Sequence, residues 1–382
     1  MNAILMWPKI LFFYISKKLA VSFLLTLVVF TFVLFMGNIV RIVDLIVQNI
    51  DPMLILKYFL YIIPYLLAYS IPMSLVTAVI LIYSKLSVEN EVTAMRASGL
   101  GMWRIFTPGI ILGLILSYFC VKLNDEVYAY FHYAQRQLKQ DFKVTDPQAF
   151  LIPGHDTNEF QGYKINIKRK ELDIFYDVTI NEFLTDGRKR FIRADRGQLI
   201  TDEATQDISF KLIDGIIEEP DAADPQKFFQ GNFGVYTIKF APAANKDGKA
   251  LEKKRRDMTI RELSLQIKIQ KQLLANVGPT EAEEIKREIT ISLTTIHERL
   301  SYSFACLAFV MIGMPLGVRS HRSEKTIGAA ISLGLVAAHY IFVLFAKALN
   351  DQPEYYPYLL IWLPNVILMA LGVLFTFRIQ RQ

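Results

Sequence analysis

The residues best suited to chemistry are two carboxylates, Glu89 and Glu91, in a short segment between two apolar runs. Ser87 can cap a helix whose first turn carries both carboxylates, where the helix dipole favours negative charge, and Gly99 can end it. The same helix has an apolar stripe formed by Val88, Val92 and Met95. The segment 87–99 is therefore predicted to be a short helix that either docks on a partner protein through its carboxylates or lies flat in a membrane interface.

Three cations beside apolar runs form a second candidate site. They are Arg41, Lys57 and Lys347. Cations at the membrane surface can bind the phosphates of anionic lipid headgroups, and the arginine fork suits phosphate best. The alternative is that these side chains only anchor helix ends at the bilayer surface.

The sequence lacks the motifs of several enzyme classes. It has no GxxxxGK(S/T) loop for nucleotide phosphates, no GxSxG motif and no HExxH zinc motif. Its five histidines are scattered singly, and Cys120 and Cys306 fall in apolar runs, so neither a catalytic nor a metal site is predicted. His339 also lies within an apolar run. It is either a functional ionisable group or a neutral imidazole bonded to a neighbouring helix.

The apolar runs identify a polytopic membrane protein. Hydrophobic residues make up 53% of the chain, charged residues only 20%, and the mean hydropathy is +0.30. Runs long enough to cross a bilayer without a charged residue lie at 19–39, 58–83, 105–121, 300–318, 326–346 and 355–377. These predict six spans. GxxxG motifs at 109–113 and 313–317 fit close packing of helices within the membrane.

Lysine and arginine in the short loops predict the orientation, because cytoplasmic loops carry the excess of positive charge. One set of span ends holds Lys9, Lys17, Lys18, Lys85, Arg96, Arg104, Arg319, Arg322, Lys325, Arg378 and Arg381. The opposite set holds only Arg41, Lys57 and Lys347. Both termini are therefore expected in the cytoplasm, and residues 122–299 on the other side. Since the net charge of +6 is mostly this topology signal, no nucleic-acid partner is predicted.

A β-rich domain is predicted between the third and fourth spans. Alternating runs give candidate strands at 163–168, 172–183, 190–193, 198–201, 208–213 and 235–240. Asp186-Gly187 and Asp214-Gly215 are hairpin signals, and six short strands fit a sandwich or jelly roll. Strand alternation predicts one buried apolar face. Its members include Ile165, Ile167, Ile174, Tyr176, Ile208, Phe210, Phe233 and Val235.

These patterns divide the chain into four parts. Residues 1–122 hold spans one to three with the short helix, and 123–257 form the external domain, with a β sandwich or jelly roll at about 150–240. Two helices at 258–299 lead into the membrane and carry capping boxes, Thr259 with Glu262 and Thr280 with Glu283. Residues 300–382 hold spans four to six. The expected fold is an α-helical polytopic membrane protein of six transmembrane helices with an inserted external β domain, which the family resemblance described next identifies as a periplasmic β-jellyroll domain.

Three segments resemble the permease subunits of the lipopolysaccharide transporter, the LptF/LptG family. They are ENEVTAMRASG at 89–99, similar to the family's coupling-helix motif, IVRIVD at 39–44, which closes span one, and MPLGV at 314–318. The resemblance covers nearly the whole chain, as three spans, an external jellyroll and three more spans. The PLGV ending is more similar to the F-type subunit and Val43-Asp44 to the G-type. Of the two, the F-type is preferred.

The resemblance implies a permease that extracts lipopolysaccharide from the inner membrane of a Gram-negative bacterium and supplies no chemistry of its own. The implied partners are a homologous second permease in a heterodimer, a cytoplasmic LptB-like ATPase dimer, a single-span LptC-like bridge protein and a periplasmic LptA-like jellyroll protein. ATP and Mg would bind to the ATPase, so this chain is expected to hold no cofactor. The residues alone leave two alternatives: a lipid-modifying membrane enzyme with His339 or a jellyroll carboxylate as base, and an ATPase-coupled signalling protein.

The resemblance also implies roles for particular residues. Glu91 matches a carboxylate that meets an ATPase arginine, within a coupling set of Glu89, Glu91, Val92, Met95 and Arg96. Arg41 matches a basic position at the lipid A phosphates, and Gln48 and Asn49 stand where some members have lysines. Lys57 and Lys347 complete the predicted headgroup set. A jellyroll open along one edge would shelter acyl chains on a face formed by Ile165, Ile167, Ile174, Tyr176, Ile208 and Phe210.

Overall fold

The structure is a computed structural model of the chain. It describes residues 9–39, 43, 46, 52–145, 151, 153–157, 160, 162–183, 189–201, 208–220, 228–240, 251–274, 277–319 and 325–381. The chain divides into two compact units. The membrane unit comprises residues 1–40, 59–133 and 253–382, and the β unit comprises residues 41–58 and 134–252.

Helices make up most of the membrane unit. The described helices are α1 (Lys9–Met36), α2 (Pro52–Val88), α3 (Glu91–Ala97), α4 (Met102–Lys122), α5 (Tyr128–Thr145), α6 (Ile260–Leu273), α7 (Pro279–Arg319), α8 (Lys325–Ala348), α9 (Pro357–Leu360) and α10 (Leu363–Arg381). A π-helical turn, Leu123–Val127, joins α4 to α5. Two 3-10 turns, Arg255–Asp257 and Pro353–Tyr355, precede α6 and α9.

The six predicted spans are confirmed. Among the described residues, six helical stretches are long and apolar enough to cross a membrane: Lys9–Met36, Pro52–Val88, Met102–Leu138, Glu281–Arg319, Gly328–Ala348 and Leu363–Arg381. Most of these helices are longer than the uncharged runs that predicted them. A helix continues as long as its backbone hydrogen bonds do and does not stop at the first charged side chain. The helix of span three continues past Lys122 as the π-helical turn and α5.

The membrane unit packs around α7. In the apolar 18-residue stretch of α7, 83% is buried, against 11% in that of α1. Both GxxxG motifs serve this packing. A Cβ at Gly109 would lie 2.8 Å from the Met314 Sδ on α7, and a Cβ at Gly317 would lie 2.9 Å from the Ile80 carbonyl oxygen on α2. Each motif therefore lets a different pair of helices approach closely, which confirms the packing interpretation.

The β unit contains one antiparallel sheet in the order β1-β2-β3-β4-β5. The strands are β1 (Tyr163–Glu171), β2 (Ile174–Phe183), β3 (Lys189–Thr201), β4 (Ile208–Pro220) and β5 (Phe228–Lys239). The inserted β domain is confirmed, with two corrections. The predicted strands 190–193 and 198–201 are parts of one strand, and Asp214-Gly215 lies inside β4 and forms no hairpin. Asp186-Gly187 lies outside the described residues.

At one row across this sheet the residues have no partners in the strand register, and the alternation of buried and exposed side chains reverses there. Asp177 on β2 and Asp214 on β4 have left-handed backbones, with φ of 53° and 54°. Their rows are missing from an otherwise continuous register. A left-handed residue interrupts the regular pleat, so the buried face changes parity across it. Phe175 and Val178, three residues apart, are accordingly both fully buried.

Candidate functional site

The short helix α3 is fixed to the membrane unit by its own apolar residues. Val92 and Met95 are buried in the cluster that also contains Leu86 and Met102. Two large side chains inserted in this way hold a seven-residue helix that would be marginal alone. Helix α3 is thus packed into the membrane unit. Val92 and Met95, both in the predicted coupling set, hold it in place from beneath and are not on its exposed surface.

The helix begins later than predicted. Ser87, the predicted cap, lies in the last turn of α2, and its Oγ donates to the Val318 carbonyl oxygen at 2.7 Å. The N-cap position is Asn90, whose backbone is left-handed (φ 57°), as asparagine tolerates. This turn separates α3 from α2 and leaves Val88 exposed. The apolar pattern extended the predicted helix over 87–99 because residue spacing alone does not reveal a left-handed turn.

The carboxylate of Glu91 is held by side chains of α1. The Tyr14 hydroxyl donates to Glu91 Oε1 at 2.8 Å, and Lys18 Nζ donates to the same oxygen at 3.2 Å. Desolvation by burial opposes ionisation, but the two donors together hold the pKa of Glu91 below its usual value. Glu91 is therefore ionised at neutral pH. Sequence reasoning missed Tyr14 and Lys18, which lie 77 and 73 residues away along the chain.

The rest of the predicted coupling set lies around this carboxylate. Glu89 is exposed, 3.7 Å from Lys85 Nζ and 4.0 Å from Lys18 Nζ. Arg96 is half-buried in the last turn of α3. The outward surface of the helix is made of small exposed residues, Thr93, Ala94 and Ala97. A partner protein could therefore contact an ionised carboxylate next to a helix surface of small side chains, on a helix that is anchored by its buried residues.

The predicted headgroup cations have different surroundings. Arg41 lies outside the described residues. Lys57 is exposed near the start of α2. Lys347 Nζ donates to Glu298 Oε1 at 2.8 Å, so this cation already has a carboxylate partner that a phosphate would have to share or displace. The headgroup site stays a prediction.

The predicted acyl-chain face is partly rearranged by the reversal of alternation. Ile165, Ile167 and Phe210 are buried, as expected. Ile174 is 40% exposed and Tyr176 half-buried, because Phe175 between them is the inward residue. Val235, also predicted inward, is exposed, whereas Phe233 is partly buried against the cluster. The side chain of Ile208 lies outside the described residues.

Aromatic side chains fill the interior of the β unit. Phe160 stacks on Phe240 with ring centroids 4.4 Å apart, and Phe175 meets Phe210 edge-on at 5.6 Å. These contacts are those of a packed core. An acyl chain entering this space would have to move aromatic side chains aside, so the acyl-chain path stays a prediction.

His339 belongs to a buried network that joins three spans. Its Nε2 lies 2.9 Å from Asn365 Oδ1, and Asn365 Nδ2 donates to the Ser301 carbonyl oxygen and to Ser301 Oγ, each at 2.9 Å. Since the Asn365 amide hydrogens point to Ser301, its oxygen accepts from His339, which places the imidazole hydrogen on Nε2. These contacts tie α8 to α10 and α7. They favour the interpretation of His339 as an imidazole bonded to a neighbouring helix.

A buried polar joint around Arg299 was missed by sequence reasoning. Arg299 Nη1 donates to the Met258 carbonyl oxygen at 2.7 Å, and Nη2 donates to the Arg256 carbonyl oxygen at 3.0 Å. Asp125 Oδ1 lies 3.9 Å from Nη1 and accepts from the Ile260 backbone N–H at 2.6 Å. The joint therefore fastens the segment that leads into α6 onto α7 and the π-helical turn. The available signal was an ionisable residue directly at the end of an apolar span.

In the part of the chain that the structure describes, no group of three or more His, Cys, Asp or Glu side chains is arranged to hold a metal ion. Comparison with known families gives a match to nearly the full length. The family described as Lipopolysaccharide export system permease LptF/LptG matches residues 13–378. This range includes α3, the β unit and all six spans except the first four residues of α1 and the last three of α10. No curated protein matches the chain.

Proposed function

We propose, since this chain belongs to the LptF/LptG family of lipopolysaccharide export permeases, that it is the permease subunit of an ABC transporter that extracts lipopolysaccharide from the inner membrane and passes it to a periplasmic bridge. The observation that carries the proposal is the extent of the family match, which runs through both sets of three spans and the inserted β unit. The family is one of transport permeases, so work on the lipid would come from movement and differential affinity, with no bond made or broken by this chain.

The proposed assembly follows from the family and from the absence of a nucleotide-binding motif in the sequence. The chain, as the F-type subunit, pairs with a homologous second permease over an LptB-like ATPase dimer, which binds ATP and Mg. An LptC-like bridge protein and an LptA-like jellyroll protein receive the lipid. The excess of lysine and arginine on one set of span ends supports cytoplasmic termini, a cytoplasmic α3 and a periplasmic β unit.

The burial and charge of helix α3 support the proposed contact with the ATPase. A docking element must transmit force, so it has to be seated firmly in its own subunit while exposing a specific contact. Val92 and Met95 provide the seat, and Glu91 provides an ionised carboxylate that suits an arginine.

The test is the composition of the complex that this chain forms in a Gram-negative host. Tagged protein is purified in detergent and analysed intact by native mass spectrometry, which reads subunits and bound lipid together. We expect one copy of this chain, one second permease, two copies of an ATPase and a phosphorylated, multiply acylated lipid. A chain that purifies alone and turns over a lipid substrate without ATP would contradict the proposal in favour of an enzyme.

We expect lipid acyl chains to contact the interior of the β unit during transport. Unshielded passage through water would cost about 0.8 kcal/mol for each exposed methylene, so a multiply acylated lipid needs a continuous apolar path. A photoreactive amino acid is placed at Phe210, which is fully buried, and at Ile174, which lies outside the buried face. Lipid adducts should form at position 210 only with ATP and remain at background at position 174.

The matched pair makes this result interpretable, since both positions lie in one sheet and differ in burial. Adducts missing at position 210 in an active transporter would mean that the β unit is a closed core with another task. Equal labelling at both positions would mean that lipid contact is not confined to the buried face of the sheet.

We expect Arg41 to contribute to binding of the lipid phosphates. The arginine fork can make two bonds to a phosphate, lysine offers a point charge, and glutamate repels it. Photocrosslinking of lipopolysaccharide to span one should therefore decrease from wild type to Arg41→Lys to Arg41→Glu, with at least about tenfold between the extremes. Equal crosslinking in all three proteins would limit Arg41 to anchoring the helix end.

A further inference from the structure

Span α1 is the most weakly held of the six. Only 11% of its apolar 18-residue stretch is buried in the structure. Its buried side chains, Ile15, Leu19 and Phe23, belong to the same cluster as Val92 and Met95 of α3, and none of them lies beyond residue 23. Along its described length, α1 therefore packs most closely at the end next to α3. Further along, Thr26 Oγ1 donates to the Ser74 carbonyl oxygen at 3.1 Å and Thr31 Oγ1 to Ser70 Oγ at 3.0 Å, so two hydrogen bonds also join α1 to α2. Because so little of α1 is buried, its contacts with α3 are a substantial share of what holds it in this chain.

Tyr14 and Lys18 add a polar contact at the same end. They are four residues apart, so they share one face of α1. Both donate to Glu91 Oε1, and Lys18 Nζ lies 4.2 Å from the centre of the Tyr14 ring. Lys18 Nζ also lies 4.0 Å from Glu89. The ammonium group is thus surrounded by two carboxylates and an aromatic face, an arrangement that holds it in one place better than a single surface ion pair would.

We propose that Tyr14 and Lys18 are positioning residues that tie α1 to α3 through Glu91, so that displacement of α3 by the ATPase moves α1. This inference rests on the proposed function and adds the route by which the motion enters the membrane. A carboxylate has room for about four hydrogen bonds, and both α1 donors use Oε1. Glu91 can therefore keep α1 while it accepts an arginine of the ATPase. Helix α3 would pass motion to α1 through this carboxylate and through the shared cluster beneath it.

The test uses the complete transporter with its second permease and ATPase, reconstituted with lipopolysaccharide. The variants are Tyr14→Phe, which keeps the ring and removes the hydroxyl, Lys18→Gln, their combination, and Lys18→Arg, which restores a donor cation. Lys17→Gln is the matched control, because Lys17 is the exposed neighbour on another face of α1. The readouts are lipid released per ATP hydrolysed, ATPase retained in a pull-down, and cysteine crosslinking between α1 and α3.

The double variant is expected to retain the ATPase in the pull-down but to release about tenfold less lipid per ATP, as expected when hydrogen bonds to a charged group are lost. Lys18→Arg should recover release to within about twofold of wild type, since arginine also donates to carboxylates. Crosslinking between α1 and α3 should decrease in the double variant and recover with Lys18→Arg.

A double variant with wild-type release per ATP would overturn the inference and leave the proposed function standing. The same holds if Lys17→Gln lowers release as much as Lys18→Gln does, because the effect would then be general to positive charge on α1. A wild-type transporter that assembles without an ATPase, or that releases no lipid with ATP, would overturn the proposed function and this inference with it.

Discussion

Replacing Glu91 by lysine is expected to abolish lipid-stimulated ATP hydrolysis while leaving the permease inserted and folded. The change removes a carboxylate that suits an arginine and puts a like charge in its place, which should cost about 3 kcal/mol or more of binding free energy. That corresponds to an affinity for the ATPase lowered by more than about 100-fold. The fold should survive, because α3 is seated by Val92 and Met95 and the carboxylate is only partly buried.

The measurements are ATPase pull-down and lipid-stimulated hydrolysis, with thermal unfolding in detergent as the check on folding. Glu91→Gln, which keeps the shape and loses the charge, should fall between wild type and Glu91→Lys. Glu354→Lys makes the same charge change at an exposed residue in the loop before α9 and should behave as wild type. If Glu91→Lys retains both docking and hydrolysis, the coupling role of α3 is wrong.

Replacing Arg299 by methionine is expected to destabilise the membrane unit by about 3–5 kcal/mol, the usual cost of removing one partner from a buried charged network. The Arg299 side chain is only 7% exposed and donates to the carbonyl oxygens of Met258 and Arg256. Methionine fills a similar volume, so the loss comes from carbonyl groups left without a donor and not from a cavity. The segment leading into α6 should then detach first.

Arg287 supplies a matched control on the same helix. It donates to Asp351 through two nitrogens, at 2.8 and 2.6 Å, but both side chains are more than half exposed. Arg287→Met should therefore cost only about 0–1 kcal/mol. The comparison is made by thermal unfolding in detergent and by protease sensitivity of the segment 251–259. Equal destabilisation by the two substitutions would show that burial of Arg299 is not what makes the joint strong.

The features predictable from sequence were those that depend on local pattern. Long uncharged runs predicted six spans, because few other structures tolerate them. The capping box of Thr259 and Glu262 is confirmed, with Glu262 bonded to the Thr259 backbone at 2.8 Å, because it is set by residues three apart. The β strands were found by alternation. Alternation failed at the row that contains Asp177 and Asp214, where left-handed backbones moved the buried position on β2 from Ile174 and Tyr176 to Phe175 and left Val235 on β5 exposed.

The features that escaped prediction depend on contacts between distant parts of the chain. Nothing in the segment that holds Tyr14 and Lys18 indicated a contact with Glu91, because only folding brings them together. The roles of Val92 and Met95 were assigned to a partner surface because an apolar stripe indicates burial without indicating what covers it. In the structure this chain covers them itself. Arg299 was not predicted, because its partners are backbone carbonyl groups, which every residue has and which no residue type indicates.

The most direct measurement is ATP-dependent transfer of lipopolysaccharide in a reconstituted system. Proteoliposomes contain this chain, the second permease, the ATPase, the bridge protein and labelled lipopolysaccharide, and a soluble periplasmic jellyroll protein with a photoreactive residue is the acceptor. We predict that labelled lipid crosslinks to the acceptor only with ATP and only when this chain is present, and that Glu91→Lys removes the signal. Transfer that proceeds equally without this chain or without ATP, or recovery of a chemically modified lipid, would contradict a permease driven by a separate ATPase.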